Sequence, residues 1–407
     1  MPTLPRTIEM IRELVRIPSV STVDPTFDMP NAPVVHRLAE WAEELGFECE
    51  IADVDAQRGK CNLIASLGKG PGGLVLSGHT DTVAFDESLW SSDPLGGIER
   101  DGKLYGRGTT DMKGFFGVVL QAIQQLDTSS LKEPIILLAT ADEESTMSGA
   151  QALVDEDRPK ARAAIIGEPT GLVPVRAHKG IGVETIRVIG ESGHSSDPAL
   201  GNSALEGMHL VIATMLAFRK EVGLKHRDPR FQVPEPTMNL GRIHGGDSAN
   251  RICARCELTY DFRSIPGLPL SEVRRELHQR IDKALAEHSL QVEYVPATGS
   301  IPAFETPADA EVVRVAEKLT CAAARAVMFG TEGPFFQQLG LETLILGPGN
   351  IDVAHQPNEF LPLEHINPAI RLVQSLIGHY CIPDERTVRR TANTAQRRGG
   401  SDSGGLE

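Results

Sequence analysis

The chain has 407 residues, 41% of them hydrophobic and 23% charged, which fits a globular protein long enough for two or three domains. Its 55 acidic and 40 basic residues leave a formal charge of -15, which excludes nucleic acid and anionic lipid as expected partners. No apolar stretch is long enough to span a bilayer, so no membrane association is expected.

In RTIEMIRELVRIPSV, Ile8, Ile11 and Val15 recur at helical spacing among charges. This predicts an amphipathic helix and lacks the unbroken apolar core of a signal peptide, so a cytoplasmic protein is expected. LIASLG and GLVLSGHT flank GKGPGG and predict two strands joined as a hairpin, and MKGFFGVVLQAIQQL predicts a helix over 112–126. PIILLATADEE and ARAAIIGEPT predict buried strands that end in acids. Continuous apolar strands between helices imply an α/β fold with a mainly parallel sheet covered on both faces.

From 181 to 293 the pattern changes. IGVETIRVIG, TMNLGRIHGG, ICARCELTYDFR and LQVEYV predict strands, and NSALEGMHLVIATMLAFRKEV and SEVRRELHQRIDKALAEH predict helices. The order is the β-α-β-β-α-β of a ferredoxin-like α+β unit, inserted into the first domain. A helix near 308–325 and the strand LETLILG then resume the earlier pattern. The expected division is one domain from 1–180 and 294–383, an inserted domain from 181–293, and a disordered tail over 384–407. The six cysteines, at 49, 61, 253, 256, 321 and 381, are too sparse for a disulfide scaffold and are expected to be reduced. Cys253 and Cys256 form a C-x-x-C on a predicted strand, where residues three apart face opposite ways; with no second such pair, a structural role is expected.

The chemistry-bearing residues gather after predicted strands. His79 and Asp81 follow one strand, Glu143 and Glu144 another, Glu168 a third, and His355 lies beyond a fourth, while Asp111 precedes a helix. Singly, each has a plain explanation: acidic pairs are usually solvated, and Asp111 could cap its helix. Together they occupy the place where open α/β sheets build sites, outside the carboxyl ends of the strands. Several carboxylates in one place repel one another unless a cation offsets them, and a pair of divalent metal ions would do so. A serine hydrolase is disfavoured because G-x-S-x-G is absent, and nucleotide binding because GRGTTD lacks the third glycine of the dinucleotide fingerprint and G-x-x-x-x-G-K-[ST] does not occur.

GHTDTV, YGRGTTDMKG, ATADEE, GEPT, SGHSSDP, GGDSANRI, DFR, TEGPF and AHQP follow one another in this order. On these motifs the chain, over about residues 4 to 381, resembles the di-zinc metallopeptidase family that includes aminoacylases and succinyl-diaminopimelate desuccinylase. The resemblance implies an exopeptidase-like catalytic domain with an inserted dimerisation (lid) domain. It implies two Zn2+ per subunit, with Co2+ as a substitute: His79 and Glu168 hold one, Glu144 and His355 the other, and Asp111 bridges them. Asp81 then orients His79, Glu143 is the general base, and the Asp111–Met112 peptide is cis.

The same resemblance makes His194 an oxyanion donor supplied by a neighbouring subunit, hence a homodimer, although by itself His194 is a loop residue ahead of a helix. The implied substrate is a small N-acyl amino acid whose carboxylate is clamped by Arg263 with help from Asn250, with Thr331 and Glu332 in a pocket loop. IIGEPT, PVRAHKG and HGGDSANRICA point to a branch that removes an acetyl group. Desuccinylase or aminoacylase activity is the alternative among hydrolases. A non-catalytic metal-binding interaction protein is the alternative of another class, which a complete set of Glu143 and five candidate ligands disfavours.

Overall fold

The computed structural model describes residues 4–296 and 300–382. The tail expected to be disordered, 384–407, lies outside them. A nine-stranded mixed sheet runs in the order Glu48–Asp55, Lys60–Leu67, Ile135–Thr140, Leu74–His79, Ala163–Pro169, Glu342–Gly347, Val175–His178 and Phe304–Glu305, with Arg325–Val327 beside Val175–His178. Its centre is parallel: Leu74–His79 pairs in parallel with Ile135–Thr140 on one side and Ala163–Pro169 on the other.

The central strands are apolar on both faces because both faces are covered. Leu74, Leu76, Leu137 and Ile165 pack under the helices Thr7–Arg16, Lys113–Gln124 and Ile366–Cys381, whereas Val75, Leu138 and Ile166 pack toward Ser148–Asp155 and Gly333–Gln338. Lys113–Gln124 is buried nearly all round, including Phe115, Phe116, Val118 and Val119, as expected of a helix held between a sheet and other helices. Each such large apolar side chain contributes about 1.5–3 kcal/mol on burial.

The expected hairpin does not form. Lys60–Leu67 and Leu74–His79 are separated by Ile135–Thr140, which pairs antiparallel with the first and parallel with the second. Both faces of these strands are apolar, so local pattern does not say which buried runs become neighbours. The expected late helix is shorter, Glu311–Thr320, and ends where Cys321 turns into the left-handed region at φ 54°.

The stretch between builds a four-stranded antiparallel sheet in the order Thr237–Gly245, Arg255–Ser264, Gly180–Ile189, Gln291–Pro296. Burial alternates residue by residue along Gly180–Ile189 and Arg255–Ser264, as in sheets with one covered face. Ile186, Val188, Leu258 and Tyr260 meet Met208, Val211, Met215 and Phe218 of helix Ala204–Lys225 and Leu277 and Ile281 of helix Leu270–Leu285. This is the β-α-β-β-α-β unit the sequence predicts. The chain enters and leaves it side by side, with Ile181 and Ile301 exchanging backbone hydrogen bonds of 2.7 and 2.8 Å. All six cysteines are free.

Candidate metal centre

Each candidate ligand is placed by a strand or by a loop anchored to one. His79 ends Leu74–His79, Glu168 lies near the end of Ala163–Pro169, and Glu143 and Glu144 follow Ile135–Thr140. His355 sits in the loop beyond Glu342–Gly347 with φ 60°. Asp111 precedes helix Lys113–Gln124, and the Asp111–Met112 peptide is cis, as the resemblance implies.

The geometry centres on Asp111. Its Oδ1 lies 3.1 Å from His79 Nε2 and its Oδ2 lies 3.2 Å from His355 Nε2, so one carboxylate faces two imidazoles with different oxygens. Glu168 Oε1 lies 3.8 Å from His79 Nε2, and Glu144 Oε2 lies 3.0 Å from His355 Nε2. Among the described residues, donor atoms of His79, Glu143 and Glu168 fall within 4.8 Å of one another, as do those of His79, Asp111 and Glu144.

Four carboxylates in this volume are electrostatically expensive. Burial, then the neighbouring carboxylates, pushes Glu143 and Glu168 well above the usual carboxylate range and raises Glu144. Burial also opposes the charge on Asp111, but hydrogen bonds from His355 and His79 outweigh it and hold this carboxyl low. Burial likewise opposes an imidazolium at His79, which the Asp111 hydrogen bond and the Glu168 and Glu143 charges overcome. His355 is raised to about 10 by hydrogen bonds to Asp111 and Glu144. Protons are thus one means of holding this cluster together; divalent cations between imidazole nitrogens and carboxylate oxygens are another, and the donor set suits them.

Asp81 differs in detail from the expected role. The hydrogen bond from His79 Nδ1, 2.9 Å long, goes to the backbone oxygen of Asp81, while its carboxylate Oδ1 stands 3.7 Å away. That carboxylate, fully buried, accepts the backbone N–H groups of Glu143 at 3.3 Å and Glu144 at 3.0 Å. Asp81 therefore ties the strand end bearing His79 to the loop bearing both glutamates. A second tie runs through Asp142, whose Oδ1 accepts from buried Lys60 at 2.7 Å and from Ser21 at 2.8 Å.

The other expected residues are placed differently. Thr331 and Glu332 are buried; the Thr331 N–H donates to His178 Nε2 at 3.2 Å, and burial pushes the Glu332 carboxyl up to about 7. Arg263 is half-buried and donates from Nε to Asp261 at 2.9 Å, and Asn250 is exposed beside Ser248. His194 is exposed, with Nδ1 2.7 Å from Ser196 Oγ. None of Arg263, Asn250 and His194 has a hydrogen bond or ion pair to the Asp111 cluster among the described residues.

Two residues escape a reading of the sequence. Arg107 and Glu359, both buried, form an ion pair of 2.8 Å beneath Asp111. Their only signal is proximity to singled-out residues, since a buried pair 252 positions apart has no periodicity to betray it.

The model of peptidase family M20/M25/M40 matches residues 75–379. The chain is 45% identical to acetylornithine deacetylase of Photorhabdus laumondii over 93% of this chain and 98% of that one. It is 46% identical to acetylornithine deacetylase of Proteus mirabilis over 94% and 98%. Among solved structures, a Staphylococcus aureus tripeptidase superposes with a TM-score of 0.73 at 22% identity, covering 91% of this chain and 97% of its own. A Bacillus subtilis protein described as a dinuclear metal binding peptidase from the M20 family superposes with a TM-score of 0.62 at 15% identity, covering 91% and 96%. With a family model covering most of its length and relatives near half identity end to end, this chain belongs to peptidase family M20/M25/M40.

Proposed function

We propose that the protein removes the acetyl group from N2-acetyl-L-ornithine, giving L-ornithine and acetate as a cytoplasmic step of arginine biosynthesis. The observation that carries a hydrolytic metal centre is Asp111, whose two oxygens face His79 and His355 while Glu168 and Glu144 flank those histidines. Near-full-length similarity to proteins named acetylornithine deacetylase supports the substrate.

In this reading His79 and Glu168 would hold one zinc ion and Glu144 and His355 the other, with Asp111 as the carboxylate they would share and cobalt able to replace zinc. When bound, such ions supply Lewis acidity that makes water a nucleophile near neutral pH and polarises the amide carbonyl. The protein's own groups do the rest. Glu143, whose amide is pinned by Asp81, takes a proton from the attacking water and returns it to the departing nitrogen as the C–N bond breaks. His194 of a second subunit donates to the developing oxyanion, and the Arg263 guanidinium, with Asn250, meets the substrate carboxylate; Thr331 and Glu332 line the pocket.

A homodimer supplies that second His194. Edge strand Thr237–Gly245 leaves Ile243 53% exposed, and helix Ala204–Lys225 leaves Leu205 and Leu216 exposed, so the 181–293 unit offers an unpaired edge with apolar neighbours for a partner copy. Among the described residues no helix is long and apolar enough to cross a membrane.

The decisive experiment is a deacylation assay on acetyl-ornithine beside succinyl-diaminopimelate and acetyl-methionine, before and after chelation. Preferred cleavage of acetyl-ornithine, abolished by chelator and restored by zinc or cobalt, is expected. Preference for another substrate would reassign the branch, and activity indifferent to chelation would remove the metal from the reaction.

A further inference from the structure

The loop carrying Asp111 lies outside any helix or strand, so its backbone N–H groups need other acceptors. They find one. Glu359 Oε1 accepts from the N–H groups of Gly108 at 3.0 Å, Thr110 at 2.9 Å and Asp111 itself at 3.0 Å. Glu359 is fully buried, and its other oxygen accepts from Arg107 Nη1 at 2.8 Å.

Arg107 is fixed in turn. Its guanidinium lies 5.3 Å over the Trp90 ring, and Nη2 donates to the Gln356 carbonyl at 3.4 Å. Further bonds join the same two segments: Gly106 N–H to the Glu359 carbonyl at 3.0 Å, and Thr110 Oγ1 to the Phe360 carbonyl at 2.6 Å. They continue the pairing of strand Lys103–Tyr105 with strand Phe360–Pro362. Glu359 stands four residues after His355. One carboxylate therefore couples the loops that present Asp111 and His355 to each other.

From this we infer that Glu359, held by Arg107, is a positioning residue that sets the direction of the Asp111 carboxylate between His79 and His355. The role rests on the metal-centre reading given above. No neutral side chain reproduces the arrangement. In Glu359→Gln one end still accepts amide protons, but the other presents N–H groups either to Arg107 or to the loop amides, leaving donors facing donors. Groups that orient metal ligands typically change metal affinity or activity 10–100-fold when altered.

The test uses the full chain, stripped by chelation and titrated with cobalt(II) while its visible absorption is followed. Wild type is expected to take up two equivalents. Glu359→Gln is expected to bind cobalt about 10–100-fold more weakly with shifted absorption bands, and to lose kcat with little change in KM. Thermal unfolding of the metal-free proteins separates this effect from a loss of fold. Should Glu359→Gln not fold, Arg107→Met decides in its place, with weaker cobalt binding expected while the three amide bonds remain. Wild-type affinity and spectrum in the folded variant overturn the role of Glu359 alone. Failure of the wild type itself to bind cobalt overturns the metal centre and this role with it.

Discussion

The carboxylate of Asp81 accepts the backbone N–H of Glu144 at 3.0 Å, although 63 positions separate the two residues. Its other oxygen accepts the N–H of Glu143 at 3.3 Å, so the loop bearing both glutamates is registered against the strand end bearing His79. Asp81→Asn retains the size of the side chain but turns one acceptor into a donor facing a backbone N–H. The expected outcome is a 10–100-fold loss of kcat or metal affinity with the fold retained. Steady-state kinetics with metal titration check it; full activity would mean that the registration is dispensable.

Glu143 is the proposed proton carrier, whereas the five proposed ligands are other residues. Glu143→Ala should therefore keep both metal ions, counted by elemental analysis, while turnover falls by about 100-fold or more. If metal content falls in parallel with activity, Glu143 is acting as a ligand.

Gly167 stands directly before Glu168, against the ring of Phe115. A Cβ at this position would lie 2.1 Å from Phe115 Cγ, which no relaxed structure accommodates. Gly167→Ala is expected to cost about 1–3 kcal/mol by overpacking. Adding Phe115→Leu should return part of that stability in urea unfolding. Equal stability of Gly167→Ala and wild type would show that the strand and ring can separate freely.

His178 gives a pH dependence of definite sign. Burial pushes this imidazole down to about 4, against weaker upward contributions from its hydrogen bonds with Lys179 and Thr331. The unfolded chain holds the corresponding proton below about pH 6.5, whereas the native chain refuses it until about 4. Stability from this residue is thus fully present above pH 6.5 and declines as pH falls toward 4, by about 3 kcal/mol in all. Imidazole NMR signals should show no titration of His178 between pH 7 and 5; a midpoint near 6.5 would contradict the burial argument.

The loops bearing the proposed ligands were legible in the sequence because residues such as His79 and Glu168 sit at the ends of apolar runs whose burial is plain from composition. The four-stranded unit was legible because its strands alternate and its helices have apolar faces. Strand order was not. Insertion of Ile135–Thr140 between Lys60–Leu67 and Leu74–His79 depends on packing among several equally apolar strands. Nor was the Asp81 contact to the Glu143 and Glu144 amides, because a carboxylate that caps a distant backbone leaves no mark on spacing. Arg107 and Glu359 are hidden for the same reason: charged letters ordinarily denote surface, and only the folded chain shows them buried and paired.

Ile181 and Ile301 exchange both backbone hydrogen bonds, which puts their α-carbons about 5.5 Å apart. The more than one hundred residues between them form a loop closed at its neck, so a short splice could bypass them without redirecting the strands of the larger sheet. The fold is in this respect modular: a gain, loss or exchange of that appendage would leave the Asp111 cluster built by the remaining chain, while removing His194, Asn250 and Arg263 together.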